Sequence, residues 1–474
     1  MEKFIQAIKV LFILGLVFAA GCNKPKTETD ASLTDGTLQS IREQGTLTAI
    51  TDFNSTNYFI YRGLPMGYQY ELLKAFADDL QVKLRIVVSN DLEKSFELLK
   101  NRNADLLAVN LTVTKHREKT IDFSLPHSQT RQVLVQRKPD NWSVLSQRAL
   151  EDTLIRNQLE LANKVVYVQR NSSYATRIHN LAEEIGQNIH IVEVAQQQDE
   201  ELIRLVANGD IDYTIADENI AKVNATYFPS IDVETAISFP QNLAWGLRPE
   251  SDSLRYTVNK WLAHFKTTSR YHVIYQKYFR NSRSVFANHA EYRASLDGAI
   301  SPYDETFKEE SKKIDWDWRL LAALAFQESR FMPHVESWAG AFGLMQLMPN
   351  TANRFGVTKK SPVENQIEAG VKFLKWLDTR FVNREMENEE ERIKFVLGAY
   401  NVGLGHILDA RRLAEKYGKD PNIWEGNVDQ FILKKSDPTY FTDDVVYYGY
   451  CRGEETYRYV HDIIERWHHY QNTK

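Results

Sequence analysis

Cysteine is scarce in this sequence, which limits how covalent bonds can hold the fold together. The 474 residues include two cysteines, Cys22 and Cys451, at opposite ends of the chain. If Cys22 is modified, as argued below, Cys451 has no partner within the chain. The sequence therefore predicts no intrachain disulfide, and we expect Cys451 to be a small, partly buried residue rather than a reactive thiol.

An excess of basic charge is also missing. The formal net charge is −5 and no long run of Lys or Arg occurs, which argues against a nucleic-acid-binding protein. No ligand spacing typical of a metal site is present either. The histidines of the pair His468-His469 are adjacent, and we expect both rings to be solvated on the last helix. We expect neither a metal nor another cofactor.

The chain has no apolar run long enough to cross a bilayer. The run from Val10 to Phe18 follows Lys3 and Lys9 and has fewer residues than a transmembrane helix needs. A basic start, a short apolar run and small residues at its end are typical of a secretory signal. We therefore interpret residues 1–21 as a signal peptide and residues 22–37 as a flexible polar tether.

The end of the signal, Ala19-Ala20-Gly21-Cys22, resembles the lipobox of bacterial lipoproteins, although a lipobox usually has Leu where Ala19 stands. The resemblance implies that Cys22 is the site of lipid attachment. By analogy with the sorting of such lipoproteins, Asn23 favours the outer membrane, on its periplasmic face. The alternative is an ordinary signal peptide and a soluble periplasmic protein.

The length of the chain predicts two to four domains. Within residues 38–280, strand-like segments such as Thr46–Thr51 alternate with helix-like segments such as Glu71–Leu80, which indicates an α/β unit. Residues 281–302 are interpreted as a polar linker, and residues 303–474 are almost entirely helical in pattern. The predicted fold class is multidomain, with a two-lobed α/β domain followed by a mostly α-helical domain.

Three motifs of the α/β unit resemble the amino-acid-binding family of periplasmic solute-binding proteins. They are Gly67-Tyr68-x-Tyr70-Glu71-Leu72, the segment from Leu111 to Arg117, and Gly209-Asp210-Ile211-Asp212-Tyr213-x-Ile215-Ala216-Asp217. The resemblance implies two lobes with a ligand between them. We place the crossing at Arg131-Gln132 and the second lobe at about residues 138–238.

In that family the positions of Thr112 and Arg117 bind a ligand's α-carboxylate, and that of Asp217 binds its α-amino group. Asp52 stands where the family cradles the ligand. The guanidinium of Arg117 suits a carboxylate; the alternative is a structural ion pair with Asp122. Because this domain is fused to a second one, we interpret it as a sensor of a free amino acid or a peptidoglycan stem peptide.

The second unit contains an apolar helix that ends in an acid. Leu320, Leu324 and Glu328 follow an i, i+4, i+8 spacing, so Glu328 lies on the apolar side of the helix. Asp315 is expected to cap this helix, with Asp317 in its first turn. Burial raises the pKa of a carboxyl group, as a general acid for glycosidic cleavage requires.

Four motifs then follow in order, and together they resemble the lysozyme-like catalytic domain of lytic murein transglycosylases. They are Glu328-Ser329, Ser337-x-x-Gly340-Ala341-x-Gly343-Leu344-Met345-Gln346, Ala399-Tyr400-Asn401 and Glu455-Thr456-x-x-Tyr459-Val460. The resemblance implies that Glu328 is the catalytic residue. By position it also implies a set of substrate-binding residues: Ser337, Met345, Gln346, Tyr400, Asn401 and Tyr459.

In that family the roles are distributed around the muramyl sugar. Ser337 would hydrogen-bond near Glu328 or the acetamido group, and Met345 and Gln346 would line the muramyl subsite. Tyr400 would orient the acetamido group or donate to Glu328, with Asn401 in support. For Tyr459 a place in the helix core competes with a place in the site.

The resemblance implies a lyase that cleaves the β-1,4 bond between N-acetylmuramic acid and N-acetylglucosamine in peptidoglycan and leaves 1,6-anhydromuropeptides. An exolytic enzyme is the first expectation, and the sequence leaves endolytic cleavage open. Two alternatives remain. One is a hydrolysing lysozyme of related fold, and the other is a receptor that only grips peptidoglycan.

Overall fold

The computed structural model describes residues 35–195, 198–280, 294–295, 297–381, 386 and 388–473. The signal peptide, Cys22 and most of the expected linker lie outside these ranges, so those expectations stay predictions. Among the described helices, none has the length and apolar character needed to cross a membrane.

The first unit alternates strands and helices. Its strands are β1 (Thr46–Thr51), β2 (Phe59–Tyr61), β3 (Leu64–Met66), β4 (Lys83–Val88), β5 (Leu106–Leu107), β6 (Asp122–Phe123), β7 (Ser128–Thr130), β8 (Gln132–Arg137), β9 (Val165–Gln169), β10 (His190–Val194), β11 (Tyr213–Asp217), β12 (Ile231–Asp232), β13 (Gln241–Leu243) and β14 (Gly246–Leu247). Its α-helices are α1 (Thr37–Gln44), α2 (Tyr68–Leu80), α3 (Leu92–Lys100), α4 (Gln147–Glu151), α5 (Ser173–Ile185), α6 (Asp199–Asn208), α7 (Glu218–Tyr227), α8 (Asp252–Phe265) and α9 (Ser269–Phe279).

Lobe 1 is built on a five-stranded sheet of order β4-β1-β5-β14-β6. Alternate residues of a strand point to opposite faces, and β1 uses both faces for burial. Leu47 and Ala49 pack with Phe76 of α2 on one face. Ile50 packs with Leu99 of α3 on the other. β1 is an interior strand of this sheet, and Asp52 follows directly after its carboxyl end.

Lobe 2 is built on a second five-stranded sheet, of order β10-β9-β11-β8-β12. The antiparallel pair β7–β13 joins the lobes, with Thr130 opposite Gln241. The chain therefore crosses near Arg131, as expected. The expected start of the second lobe at Lys138 is wrong, because β8, which begins at Gln132, already belongs to its sheet.

The second unit is helical throughout its described elements. Its α-helices are α10 (Asp304–Ser311), α11 (Trp318–Ser329), α12 (Pro349–Arg354), α13 (Val363–Phe381), α14 (Glu389–Val402), α15 (Leu404–Lys416), α16 (Asp429–Lys434), α17 (Pro438–Phe441) and α18 (Gly453–Gln471). The segment Trp424–Val428 before α16 is kinked, with non-helical backbone angles at Glu425 and Gly426. Cys451, before α18, is 5% exposed, in agreement with its expected place as a small buried residue.

Helix α11 runs through the centre of this unit, and every residue from Leu320 to Ala325 is fully buried. Its cap is Asp317 rather than the expected Asp315. One oxygen of Asp317 accepts from Arg319 N at 2.9 Å, and the other accepts from Trp467 Nε1 of α18 at 2.9 Å. Asp315 has a left-handed backbone with φ of 57° and precedes the helix, so its side chain is not at the cap position.

The two units meet in a packed seam between the β2–β3 hairpin and the last helix. The Tyr58 hydroxyl lies 3.0 Å from Nδ1 of His469 and 3.2 Å from its carbonyl oxygen. Tyr470 donates to the carbonyl of Gly63 at 2.9 Å. The expectation of a solvated His469 is wrong: the residue is 7% exposed, because Tyr58 and Tyr70 of lobe 1 cover its ring.

Gly63 provides a test of this seam. A methyl group on Gly63, whose φ is +75°, would overlap the ring of Phe326 in α11. Gly186 has a similar φ of +65° and no neighbour within 4 Å of such a methyl. Both Gly→Ala substitutions carry the left-handed backbone cost of roughly 1–2 kcal/mol. We expect Gly63→Ala to cost about 1–3 kcal/mol more, through overpacking. Differential scanning calorimetry of both variants measures the difference, and equal destabilisation would show that the seam is loose.

Candidate active site and ligand cleft

Glu328 lies in the last turn of α11, where the buried helix reaches an open groove. Its side chain is half-buried and lines that groove. The next residue fixes the helix end, because the Ser329 hydroxyl lies 3.1 Å from the carbonyl oxygen of Ala325 and 2.8 Å from that of Leu344. The position of the Glu328 carboxyl is therefore tied to the glycine-rich loop that follows.

The Glu328 carboxyl accepts a short hydrogen bond from the hydroxyl of Tyr459 in α18. Burial raises the pKa of Glu328 from 4.5 to about 7, and the Tyr459 donor opposes part of this shift. Tyr459 is itself 6% exposed, and burial together with the nearby carboxylate raises its pKa well above 10. Near neutral pH the pair thus holds a carboxyl group that can both give and accept a proton.

Tyr400 and Asn401 lie at the end of α14, on the same side of the domain. The Tyr400 hydroxyl donates to the carbonyl of Met345 at 2.6 Å, so in this structure the donor to Glu328 is Tyr459. The carboxyl of Glu328 is nevertheless close enough to raise the pKa of Tyr400 further beyond the effect of burial. Asn401 lines the groove, and its side-chain oxygen accepts from the Thr456 hydroxyl at 2.8 Å.

The glycine-rich loop is held by its own hydrogen bonds. The Ser337 hydroxyl accepts from Ala341 N at 3.0 Å, and the Gln346 side chain donates to the carbonyls of Val335 and Gly343 at 2.9 and 2.8 Å. Gly343 is required here, because its φ is +80° and a methyl group would overlap the Gln366 side chain. No described contact joins Ser337 to Glu328.

Met345 lies inside the fold rather than on the groove. Its residue surface is 1% exposed, and its side chain packs against Gly370 of α13. The contribution of Met345 that the structure shows is its backbone carbonyl, which holds the Tyr400 hydroxyl.

The groove includes residues that were not predicted to bind substrate, although Glu455 belongs to one of the four motifs. Beside Glu328, Asn401 and Tyr459 it is lined by Gln327, Ser436, Tyr450, Arg452, Gly453, Glu454, Glu455, Arg458 and Asp462. Most of them belong to the start of α18 and the segment before it. In the sequence these residues form a polar stretch followed by an amphipathic helix. Such stretches are too common on protein surfaces to predict a groove.

A second cleft lies between the lobes of the first unit and includes Asp52 and Arg117. Arg117 donates from one Nη to the carbonyl of Thr112 at 3.0 Å. The alternative ion pair with Asp122 is not formed: Asp122 pairs instead with Arg255 at 3.3 Å. The remaining guanidinium N–H groups of Arg117 make no hydrogen bond with a described residue and can meet a carboxylate.

Asp217 is the last residue of β11 and is completely buried, and neither of its oxygens accepts a hydrogen bond from a described residue. Burial raises its pKa well above 3.8, and repulsion from Asp199 adds to the shift. Asp52 accepts amide donors from Asn54 and Asn57 at 2.6 and 2.7 Å. Burial still raises the pKa of Asp52 to about 6.

Residues 47–281 match the bacterial extracellular solute-binding proteins of family 3. Residues 305–423 match the transglycosylase SLT domain. The order of the two domains is therefore that expected from the motifs.

Relatives with the same domain order extend over nearly the whole chain. A protein of Desulfosudis oleivorans named membrane-bound lytic murein transglycosylase F is 32% identical over 428 residues, covering 90% of each chain. One of the same name from Aliivibrio fischeri is 30% identical and covers 98% of this chain and 89% of its own. The chain belongs to the membrane-bound lytic murein transglycosylase F family.

Membership in this family establishes the type of enzyme and the fold class. The protein is a peptidoglycan lytic transglycosylase with a solute-binding-protein-like domain ahead of its lysozyme-like catalytic domain. Solved structures also match the first unit. A mutant of ArgBP from T. maritima is 21% identical, covering 51% of this chain and 99% of its own, with a TM-score of 0.44. An ancestral amino acid-binding protein is 24% identical with a TM-score of 0.43.

Because the pKa of Glu328 is raised in the folded protein, ionisation of this side chain lowers the free energy of unfolding. A neutral side chain in its place removes that loss. The folded protein keeps this proton up to about pH 7, whereas an exposed Glu loses it near 4.5. The free energy of unfolding therefore falls as the pH rises through this interval. We expect Glu328→Gln to stabilise the protein by about 1–3 kcal/mol at pH 8, allowing for partial exposure, and by little at pH 4.

Thermal unfolding at both pH values measures this effect. Glu336→Gln is the matched control, because the Glu336 side chain is 50% exposed and pairs with Lys359 at the surface. A gain at pH 8 that is the same for both variants would contradict a specific cost at Glu328.

Proposed function

We propose that Glu328 alone serves as acid and then as base in cleavage of the bond between N-acetylmuramic acid and N-acetylglucosamine. The observation that supports this is the half-buried Glu328 carboxyl, which opens into the groove and has a tyrosine hydroxyl as its hydrogen-bond donor. A pKa of about 7 leaves enough of the acid protonated at neutral pH to start the reaction.

In the first step the Glu328 proton passes to the glycosidic oxygen while the bond from that oxygen to C1 of the muramyl sugar breaks. The substrate's own 2-acetamido oxygen attacks C1 and carries the positive charge, which removes the need for a second protein carboxylate. Glu328 is left as a carboxylate, and the Tyr459 hydroxyl stabilises it because hydrogen bonds to a charged acceptor are strong.

In the second step the Glu328 carboxylate takes the proton of the sugar's C6 hydroxyl. The C6 oxygen then attacks C1 and displaces the acetamido oxygen, which closes a 1,6-anhydro ring. The carboxyl group is again protonated at the end, so acid and base are regenerated without water. Other carboxylates on the groove, Glu454, Glu455 and Asp462, are exposed or partly exposed and make no described hydrogen bond to Glu328.

Two of the residues that match the family motifs support this mechanism, because their side chains hydrogen-bond to backbone carbonyls near the site. Tyr400 fixes the carbonyl of Met345, and Gln346 ties together the carbonyls of Val335 and Gly343. Together with Ser337 and Asn401 these residues would form the wall against which the acetamido group and muramyl ring are oriented.

We further propose that the first unit senses a free amino acid or stem peptide, with Arg117 and Thr112 binding a carboxylate and Asp217 an ammonium group. A short segment connects this cleft to the catalytic domain. Asp52 begins it in the cleft, Tyr58 contacts His469, and Gly63 ends it against Phe326, two residues before Glu328. Ligand binding at Asp52 can thus bias the position of α11 and α18.

For localisation we propose attachment of the chain to the outer membrane by a lipid on Cys22. The family name supports a membrane-bound protein, and the lipobox-like segment Ala19-Ala20-Gly21-Cys22 supports the lipid. A soluble periplasmic form is the alternative. Metabolic labelling with a fatty acid, lost in a Cys22→Ala variant, would distinguish them.

The proposed chemistry is tested by mass spectrometry of the products. We expect the full-length protein to release muropeptides one water lighter than reducing-end products, and we expect Glu328→Gln to release none. Glu336→Gln, a surface change in the same domain, should act like the unmodified protein. Products with reducing ends would instead indicate a hydrolase, and the absence of products from any protein would favour a receptor that only binds peptidoglycan.

A further inference from the structure

The cleft between the lobes carries more negative than positive groups. Asp52, Asp199 and Glu200 line it, and Asp217 lies beside them, near enough for Asp199 to raise its pKa. Arg117 is the one cationic side chain among the described residues that line the cleft. A ligand with one ammonium and one carboxylate would leave this imbalance unchanged.

We propose that this cleft binds a free α-amino acid whose side chain ends in a second cationic group, such as lysine, ornithine or arginine. The inference rests on the proposed sensing function and specifies the class of ligand for the same cleft. It concerns the first unit and leaves the chemistry at Glu328 unaffected.

Arg117 and Asp217 are the expected partners of the α-carboxylate and the α-ammonium group of the amino acid. Arg117 has N–H groups beyond the one that donates to Thr112, and they suit an α-carboxylate. Asp217 is 0% exposed with both oxygens unpartnered among the described residues. A buried carboxylate without a donor costs free energy, and an α-ammonium group supplies the missing donors. A free α-amino group is therefore part of the expected ligand.

Among the described acids of the cleft, one further buried oxygen lacks a partner after these two contacts. Asp199 accepts from the Tyr174 hydroxyl at 2.7 Å with one oxygen, and its other oxygen is buried without a described donor. Repulsion from Asp52 and Glu200 adds to the raised pKa of Asp199, and repulsion from Glu200 adds to that of Asp52. A second ligand cation beside Asp199 and Asp52 would provide the donor and relieve the repulsion.

Helix geometry alone offers a different explanation for the acids, because Asp199 and Glu200 begin α6, where negative side chains are favoured. Glu200 fits that explanation and also closes the cleft, since it accepts from Ser55 N of lobe 1 at 3.0 Å. Asp199 does not fit it. Burial and the other acids raise its pKa to about 7 despite the helix end, so its carboxylate is not stabilised by the protein alone.

The lining also suits a side chain with an alkyl stem. Leu92, Val109, Leu111 and Ile220 line the cleft together with the acids. Methylene groups of a lysine-like side chain can pack on these residues while the terminal cation reaches the carboxylates.

Isothermal titration calorimetry of the full-length protein with L-lysine and L-norleucine tests the proposal. Norleucine is lysine without its side-chain ammonium group, so the pair isolates the second cation. We expect lysine to bind at least about tenfold more tightly. Equal or tighter binding of norleucine would overturn the cationic ligand but leave an amino-acid sensor. Absence of binding by both would overturn the cationic amino acid as the ligand, and the sensing function itself would fail only if stem peptides also gave no binding heat.

Two variants test whether the preference for lysine over norleucine depends on Asp199. We expect Asp199→Asn to weaken lysine binding at least about tenfold and to change norleucine binding by less than about threefold. Glu201→Gln is the matched control, because Glu201 lies in the same helical turn, pairs with Arg204 and is not among the residues that line the cleft. Equal losses of lysine binding in the two variants would contradict a local contact. The comparison of the two amino acids on the unmodified protein does not depend on either variant folding.

Discussion

The catalytic domain depends on one contact, in which the hydroxyl of Tyr459 meets the carboxyl of Glu328. It joins the two helices that pack at the centre of the domain, α11 and α18. Burial alone would hold Glu328 as a neutral acid, and full exposure would hold it as a carboxylate. The hydrogen bond keeps both forms accessible near neutral pH. A single carboxyl group can then act first as acid and then as base.

The same two helices also form the contact with the sensing domain. Phe326 of α11 packs against Gly63, and His469 and Tyr470 of α18 contact the segment from Tyr58 to Gly63. Movement of lobe 1 would therefore act on both partners of the Glu328–Tyr459 pair. Glu200, which bonds to Ser55 across the cleft, connects the closure of the lobes to this segment. Under the proposed sensing function, these direct contacts would link ligand binding to the Glu328–Tyr459 pair.

Local patterns were sufficient for the architecture and for the half-buried position of Glu328. The periodicity of α11 placed Glu328 on an apolar side, and short motifs identified both domains. The partners of these residues were less predictable, because they depend on how distant helices pack. Tyr459, and not Tyr400, reaches Glu328, and Met345 contributes its carbonyl from a buried position. His469 is buried by Tyr58, 411 residues earlier in the chain, and no local pattern reports such a neighbour.

We expect the carboxyl group of Glu328 to titrate near neutral pH, with the hydrogen bond from Tyr459 lowering its pKa. Difference infrared spectroscopy measures this directly, by following the carboxyl signal that is present in the unmodified protein and absent in Glu328→Gln. We predict a midpoint at about pH 7 and a higher midpoint in Tyr459→Phe, because that change removes the donor that favours the carboxylate. A midpoint near 4.5, the ordinary value for Glu, or no change in Tyr459→Phe would contradict it.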